Sequence, residues 1–185
     1  MPTSDKQGKL ISKLLIQHHN PAEIVDIGPG EGTYWDLVEG ETYVWPNGNM
    51  HYWVGIEVWA PYIAEYDLTS KYDLIVNKDV RNITFVPYTV SMADNKNRLI
   101  IFGDVLEHMP EDDARQIILR AKQHFRWVLV SIPIVHAPQG EVNGNPYETH
   151  LKHWTFDEMH EVMGKCMAFK GSTLGVFWWD SEEDI

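Results

Sequence analysis

Apolar and polar positions follow two rhythms along the chain, one helical and one extended. From Lys9 to His18, Leu10, Lys13, Leu14 and Gln17 fall on one side of a helical wheel, with Ile11, Leu15 and His18 on another. That spacing predicts an amphipathic helix over residues 8–19, ended by Asn20-Pro21. Glu23-Ile24-Val25-Asp26-Ile27 predicts a short buried strand running into Gly28-Pro29-Gly30-Glu31-Gly32-Thr33, with a short helix from Tyr34 to about Val38 behind it. Strands are also predicted at 52–56, 72–76, 98–102 and 127–134, with helices at 60–66, 111–124 and 155–163 and a closing hairpin within 169–179. Pro46-Asn47-Gly48-Asn49 predicts a hairpin or long loop across 42–51, whereas 82–96 shows no convincing helix. Strands that are apolar throughout and separated by helical segments imply a mostly parallel sheet covered on both faces, an α/β fold.

A length of 185 residues suits a single domain spanning 1–185. Fifteen Lys and Arg against 27 Asp and Glu leave a net charge of −12, which repels polyanions and makes nucleic acid an unfavourable partner. With 44% hydrophobic residues the chain has ample apolar surface to bury and is not disordered. Cys166 is the only cysteine, so no internal disulfide can form. No apolar run reaches membrane-spanning length and none has the form of a secretory leader. The expectation is a cytoplasmic protein with no membrane association; the sequence carries no signal of its oligomeric state.

In an open parallel sheet, ligands bind outside the carboxyl ends of the strands at the switch point in strand order. Asp26 to Gly32, Glu57, Asp79 and Gly103-Asp104 end the first four predicted strands, so four segments converge on one crevice. The glycines at 28, 30 and 32 are followed by Thr33, giving G-x-G-x-G and not the dinucleotide spacing. Glu31 also places a carboxylate where a phosphate would otherwise meet the helix N-terminus. A ligand with adenosine and cationic groups but no phosphate fits better, and S-adenosylmethionine is one. Asp26 would face its ammonium, and Tyr34 or Trp35 its cationic charge. Glu57 offers two acceptor oxygens to the ribose hydroxyls, Asp79 an acceptor to the adenine amine, and Val80 its N–H to a ring nitrogen.

Val25-Asp26-Ile27-Gly28-Pro29-Gly30-Glu31-Gly32-Thr33, Gly55-Ile56-Glu57, Lys78-Asp79-Val80-Arg81-Asn82 and Phe102-Gly103-Asp104-Val105-Leu106-Glu107-His108-Met109 resemble, in this order, the class I S-adenosylmethionine-dependent methyltransferases. The resemblance covers roughly residues 22–135. It implies a Rossmann-like three-layer sandwich with seven strands, six parallel and the last antiparallel, and methyl transfer to an O, N or C nucleophile. Its cofactor half would span about 22–110 and its acceptor half 111–185. Cofactor contacts are expected from Asp26, Gly28, Pro29, Gly30, Glu31, Thr33, Glu57, Asp79, Val80, Gly103 and Asp104. A short first helix, the 42–51 insertion and the missing helix in 82–96 depart from the family pattern.

Methyl transfer from a sulfonium needs an aligned nucleophile and, for a protonated one, a base. Glu107, His108, His136, His150 and His153 follow the fourth and fifth strands, where the acceptor belongs. His150, His108 and Glu107 are the catalytic candidates, with His150 foremost. The plainer alternative makes Glu107 and His108 a helix-start turn and His150 and His153 surface residues. Asp104, Glu107 and His108, spaced i, i+3, i+4, together with His150 resemble in outline the metal-assisted small-RNA terminal 2′-hydroxyl methyltransferases, which would carry Glu at position 104. The acidic balance argues against RNA, so no metal ligand is assigned and a small-molecule acceptor is expected. A non-catalytic cofactor-binding module is the alternative from another class, and an NAD-dependent oxidoreductase is opposed by Glu31 and the glycine spacing. Trp178-Trp179 and the cluster Tyr43, Trp45, Tyr52 and Trp53 read as core or interface rather than substrate cage.

Overall fold

The computed structural model describes residues 6–39, 51–88 and 97–182. Helix α1 (Lys6–His19) leads into β1 (Glu23–Ile27), α2 (Thr33–Glu39), β2 (Tyr52–Glu57), α3 (Ala60–Glu65), α4 (Leu68–Lys71) and β3 (Leu74–Asn77). After them come β4 (Arg98–Gly103), α5 (Glu111–His124), β5 (Trp127–Pro133), α6 (Phe156–Met163), β6 (Met167–Lys170) and β7 (Leu174–Asp180). The expected loop over 42–51 lies outside the described residues except for His51, as does most of the 82–96 region, whose start forms a 3₁₀ turn at Val80–Asn82.

The seven strands form one sheet in the order β3-β2-β1-β4-β5-β7-β6. The first five pair in parallel, and β7 is antiparallel to both β5 and β6, so β6 runs with the first five. From β1 the chain moves outward to β2 and β3, then returns to place β4 on β1's other side. The switch point therefore lies between the carboxyl ends of β1 and β4. Side chains alternate across the sheet: Leu99 and Ile101 join a core with Ile16, Tyr34, Val38 and Leu68, while Ile100 and Phe102 join one with Ile117, Ile118, Met159 and Met163. Helices α1, α2 and α4 thus cover one face and α5 and α6 the other, which makes three layers. No helix among the described residues is long and apolar enough to cross a membrane.

Several boundaries differ from expectation for local reasons. Helix α1 begins at Lys6, two residues before the expected 8–19. Its inward side carries Lys9, Ser12 and Ile16, while Leu10 and Leu14 are 55% and 65% exposed. Strand β3 starts at Leu74 because Tyr72 closes the unforeseen helix α4. Thr155 caps α6 from outside, exchanging hydrogen bonds with Glu158 in a capping box. The closing hairpin is longer than 169–179, and Trp178 and Trp179 are both buried core residues of β7.

At the opposite end of the sheet, Arg98 opens β4 and is fully buried with Glu23 of β1, Nε to Oε1 at 2.7 Å. Its guanidinium also donates to the carbonyls of His124 and Val86, and Glu23 accepts from the N–H of Tyr88. These bonds tie the starts of β1 and β4 to the end of α5.

Candidate active site

The turn after β1 requires glycine. Gly28, Gly30 and Gly32 have φ of +58°, +54° and +81°, and a Cβ on Gly28 would lie 2.9 Å from the Val105 side chain. Gly28 N–H donates to the Ile56 carbonyl at 2.9 Å, drawing the loop toward β2. Lys71 of α4 donates to the Glu31 carbonyl at 2.8 Å and pairs with Asp36 at 2.7 Å, offsetting the acids where α2 begins.

Glu57 ends β2 with a buried carboxylate that accepts the Trp59 N–H at 2.7 Å. Burial pushes its pKa up to about 7 against the pull of that hydrogen bond. Asp26 is held inside, accepting the Tyr72 hydroxyl at 2.7 Å, and burial raises its pKa to about 7 as well. Asp79 stands at the expected end of β3, where it caps the 3₁₀ turn. Arg81 chelates its carboxylate, with Nη2 at 2.6 Å, and holds it below the ordinary carboxylate range. Asp104 follows β4 in the left-handed region at φ +56° and pairs with Lys9 of α1 at 3.0 Å. Tyr34 does not face the crevice as expected: its ring packs on Gly103 and its hydroxyl donates to Ser131 Oγ at 2.7 Å. Trp35 is half-buried beside the Lys71 ammonium.

A second group of candidate residues is built on the 3₁₀ turn Leu106–His108. Glu107 is 3% exposed, and both its carboxylate oxygens are buried without a hydrogen-bond partner among the described residues. Burial, followed by the nearby Asp104 charge, raises its pKa well above the ordinary value. The chain returns here at 137–152, where the Glu107 carbonyl accepts from Leu151 N–H at 2.8 Å and Lys152 N–H at 3.1 Å. His108 Nδ1 lies 3.3 Å from the Thr149 carbonyl and His150 Nδ1 2.6 Å from that of Ala137. A carbonyl only accepts, so both Nδ1 atoms carry the proton. Burial lowers the His108 pKa, which keeps that ring neutral.

Glu107, His108 and His150 thus come together, with potential ligand atoms within 4.8 Å of one another. Asp104 does not complete this set as the i, i+3, i+4 spacing suggests, because Lys9 engages it. A cavity of about 190 Å³ opens beside Glu107 and His150, walled by Pro133, Val135, His136, Leu151 and His153 among others. The His136 and His153 rings meet edge to face at 5.2 Å.

The raised carboxylates predict an unusual pH dependence. Their folded pKa near 7 exceeds the unfolded value near 4, so the folded state binds more protons between these limits and is favoured as pH falls through 7. Lowering pH from 8 to 6 should add roughly 1 kcal/mol for each of Asp26 and Glu57, or about 2–4 °C of Tm per carboxylate. His51 and His108, lowered by burial, oppose this below their ordinary value of 6.5. The expected net result is a higher Tm at pH 6 than at pH 8, with a smaller difference in Asp26→Asn. A pH difference as large in Asp26→Asn as in wild type would refute the raised Asp26 carboxylate.

Known structures match this fold over nearly the whole chain. The small RNA methyltransferase HEN1 superposes with a TM-score of 0.68 at 15% identity, covering 97% of this chain and 25% of that one. The chain has the class I methyltransferase fold. This methyltransferase fold is also seen in the methyltransferase domain of bacterial CtHen1-CN, with a TM-score of 0.63, 14% identity and coverage of 95% and 98%. Magnesium protoporphyrin IX methyltransferase (ChlM) from Synechocystis PCC 6803, solved with bound SAM, matches with a TM-score of 0.59 at 12% identity, covering 94% of this chain and 77% of that one. The chain therefore spans a quarter of the HEN1 protein's length. Neither a protein-family model nor a curated protein matches the sequence. Sequence reasoning missed Lys9, whose inward position runs against the apolar pattern of its helix, and it did not foresee that Arg81 occupies Asp79.

Proposed function

We propose that this chain transfers a methyl group from S-adenosylmethionine to a small-molecule acceptor seated against Glu107, His108 and His150. The observation that carries the reading is the meeting, at the β1–β4 switch point, of the left-handed glycine turn, buried Glu57 and a second group of proton-handling side chains. ChlM, which shares the fold, was solved with SAM and with SAH. Glu57 would take the ribose hydroxyls, Asp79 would share its carboxylate between Arg81 and the adenine amine, and the Val80 N–H would donate to a ring nitrogen of the base. Gly28, Pro29, Gly30, Glu31 and Thr33 shape the turn around the methionine portion, opposite Gly103 and Asp104. When bound, S-adenosylmethionine would supply the methyl group to an acceptor lone pair, the sulfur keeping the electron pair of the broken carbon–sulfur bond as neutral S-adenosylhomocysteine. A hydroxyl or ammonium acceptor gives its proton to the Nε2 of His150 or His108.

Calorimetric titration with S-adenosylmethionine, S-adenosylhomocysteine and NAD tests this directly, with micromolar-order binding of the sulfur ligands expected. Binding of NAD alone would move the reading to redox chemistry.

A second reading adds a divalent cation, favoured by the donor chemistry of the three acceptor-side residues. Two imidazoles with their Nδ1 protons fixed on carbonyls, beside a buried carboxylate without hydrogen-bond partners, form a mixed N/O set suited to such an ion. Glu107, His108 Nε2 and His150 Nε2 would hold it, and when bound it would supply Lewis-acid polarisation of an acceptor hydroxyl. HEN1 acts on small RNA, but the net charge of −12 here weighs against RNA in either reading. Mn²⁺ titration followed by electron paramagnetic resonance should show one bound ion, weakened about 10- to 100-fold in Glu107→Gln. Unchanged spectra on adding wild-type protein would leave the three residues as a metal-free proton relay.

A further inference from the structure

We infer that Lys9 and Asp104 together recognise the α-amino-acid end of the methyl donor, the lysine taking its α-carboxylate and the aspartate its α-ammonium. This rests on the S-adenosylmethionine reading and assigns a part of the site that lies on α1, outside the motifs of β1 to β4. Lys9 and Arg98 are the only buried basic side chains of Lys or Arg type among the described residues. Arg98 is fixed to Glu23 at the far end of β4, which leaves Lys9 as the buried cation on the crevice side. Its side chain is 4% exposed and its ammonium lies 3.0 Å from Oδ2 of Asp104, whose side chain is 22% exposed.

An ammonium is withdrawn from water at a large penalty, which the ion pair with Asp104 helps to offset. Carboxylate oxygens are in surplus around it. Asp104 Oδ1 and both oxygens of Glu107 are buried without a hydrogen-bond partner among the described residues, and the Lys9 charge is felt at Asp26 and Glu107. The pair also stands in the right place. Ile27 and Phe102 are register partners across β1 and β4, so Gly28 and Gly103-Asp104 leave the sheet side by side.

A zwitterionic amino acid entering there meets the complementary pair. Lys9 exchanges part of its hold on Asp104 for the ligand carboxylate, and Asp104 turns its unused oxygen to the ligand ammonium. Two charges of each sign replace one of each, so net buried charge is unchanged and the surplus acceptors gain donors. Helix α1, anchored through Lys9, then closes one wall of the cofactor site.

The test compares S-adenosylhomocysteine with 5′-methylthioadenosine, which keeps the adenosine and thioether but lacks the amino-acid end. Calorimetry on wild type, Lys9→Met and Lys9→Arg gives the affinity ratio of the two ligands within each preparation, so a change in folded fraction cancels. Lys9→Met should weaken S-adenosylhomocysteine by at least about tenfold while leaving 5′-methylthioadenosine within about twofold, and Lys9→Arg should keep most of the wild-type ratio. An unchanged ratio in Lys9→Met, whether both ligands weaken together or neither does, overturns the assignment. Failure of folded wild type to bind either ligand overturns the methyl-donor reading itself, and this inference with it.

Discussion

Glu57→Ala weakens S-adenosylhomocysteine binding by about 30- to 100-fold, the largest expected effect of any single change in the crevice. The Glu57 carboxylate is held by the Trp59 N–H at 2.7 Å, and the Asn77 side-chain amide donates to the Glu57 backbone carbonyl at 2.7 Å, so the group is oriented before ligand arrives. Two vicinal hydroxyls donating to it form two charge-assisted bonds, each worth roughly 1.5–3 kcal/mol. Part of that gain is offset because the carboxylate is buried and must be ionised to accept both. A net loss of about 2–3 kcal/mol follows. The unliganded variant should melt no lower than wild type at pH 8, since the substitution removes a carboxylate that burial disfavours. A dissociation constant within threefold of wild type in calorimetry would remove Glu57 from the ribose site.

Arg98→Met has the largest expected effect on stability, a loss of about 3–5 kcal/mol. Both partners of the Arg98–Glu23 pair are fully buried, and the guanidinium also serves two backbone carbonyls and lies over the Phe125 ring. Removing it strands the Glu23 charge with the Tyr88 N–H as a remaining donor. Urea unfolding should show the loss as a lower midpoint with an unchanged slope. The double replacement Arg98→Met with Glu23→Leu should recover most of it, because two apolar side chains satisfy the site better than one unpaired charge. If the double variant is as unstable as the single one, the lost carbonyl contacts and not the stranded charge govern this end of the sheet.

The central strands were legible because β1, β2, β4 and β5 are apolar on both faces, a pattern that only a covered parallel sheet tolerates. Edge strand β3 was blurred, since Leu74 to Asn77 is only partly covered and Tyr72 is an aromatic that packs from a helix end. The inward face of α1 was misleading: its buried Lys9 is satisfied by Asp104, 95 positions away, and local periodicity carries no trace of so distant a partner. Glu107 and His108 were visible as neighbours, but their meeting with His150 depends on the return of 137–152, fixed by backbone hydrogen bonds that any sequence could make. Arg81, by contrast, lies two residues from Asp79, and its capture of that carboxylate was within reach of local reasoning.

The Glu107 carbonyl, by accepting both Leu151 and Lys152 N–H groups, joins the turn that carries Glu107 and His108 to the wall of the cavity beside them. Neither bond involves a side chain. Val135, His136 and Leu151 can therefore be exchanged to resize the cavity while His150 stays in register with His108. Under the proposed function, such an architecture separates the choice of acceptor from the chemistry done on it, and the same exposed wall is where an engineer would begin.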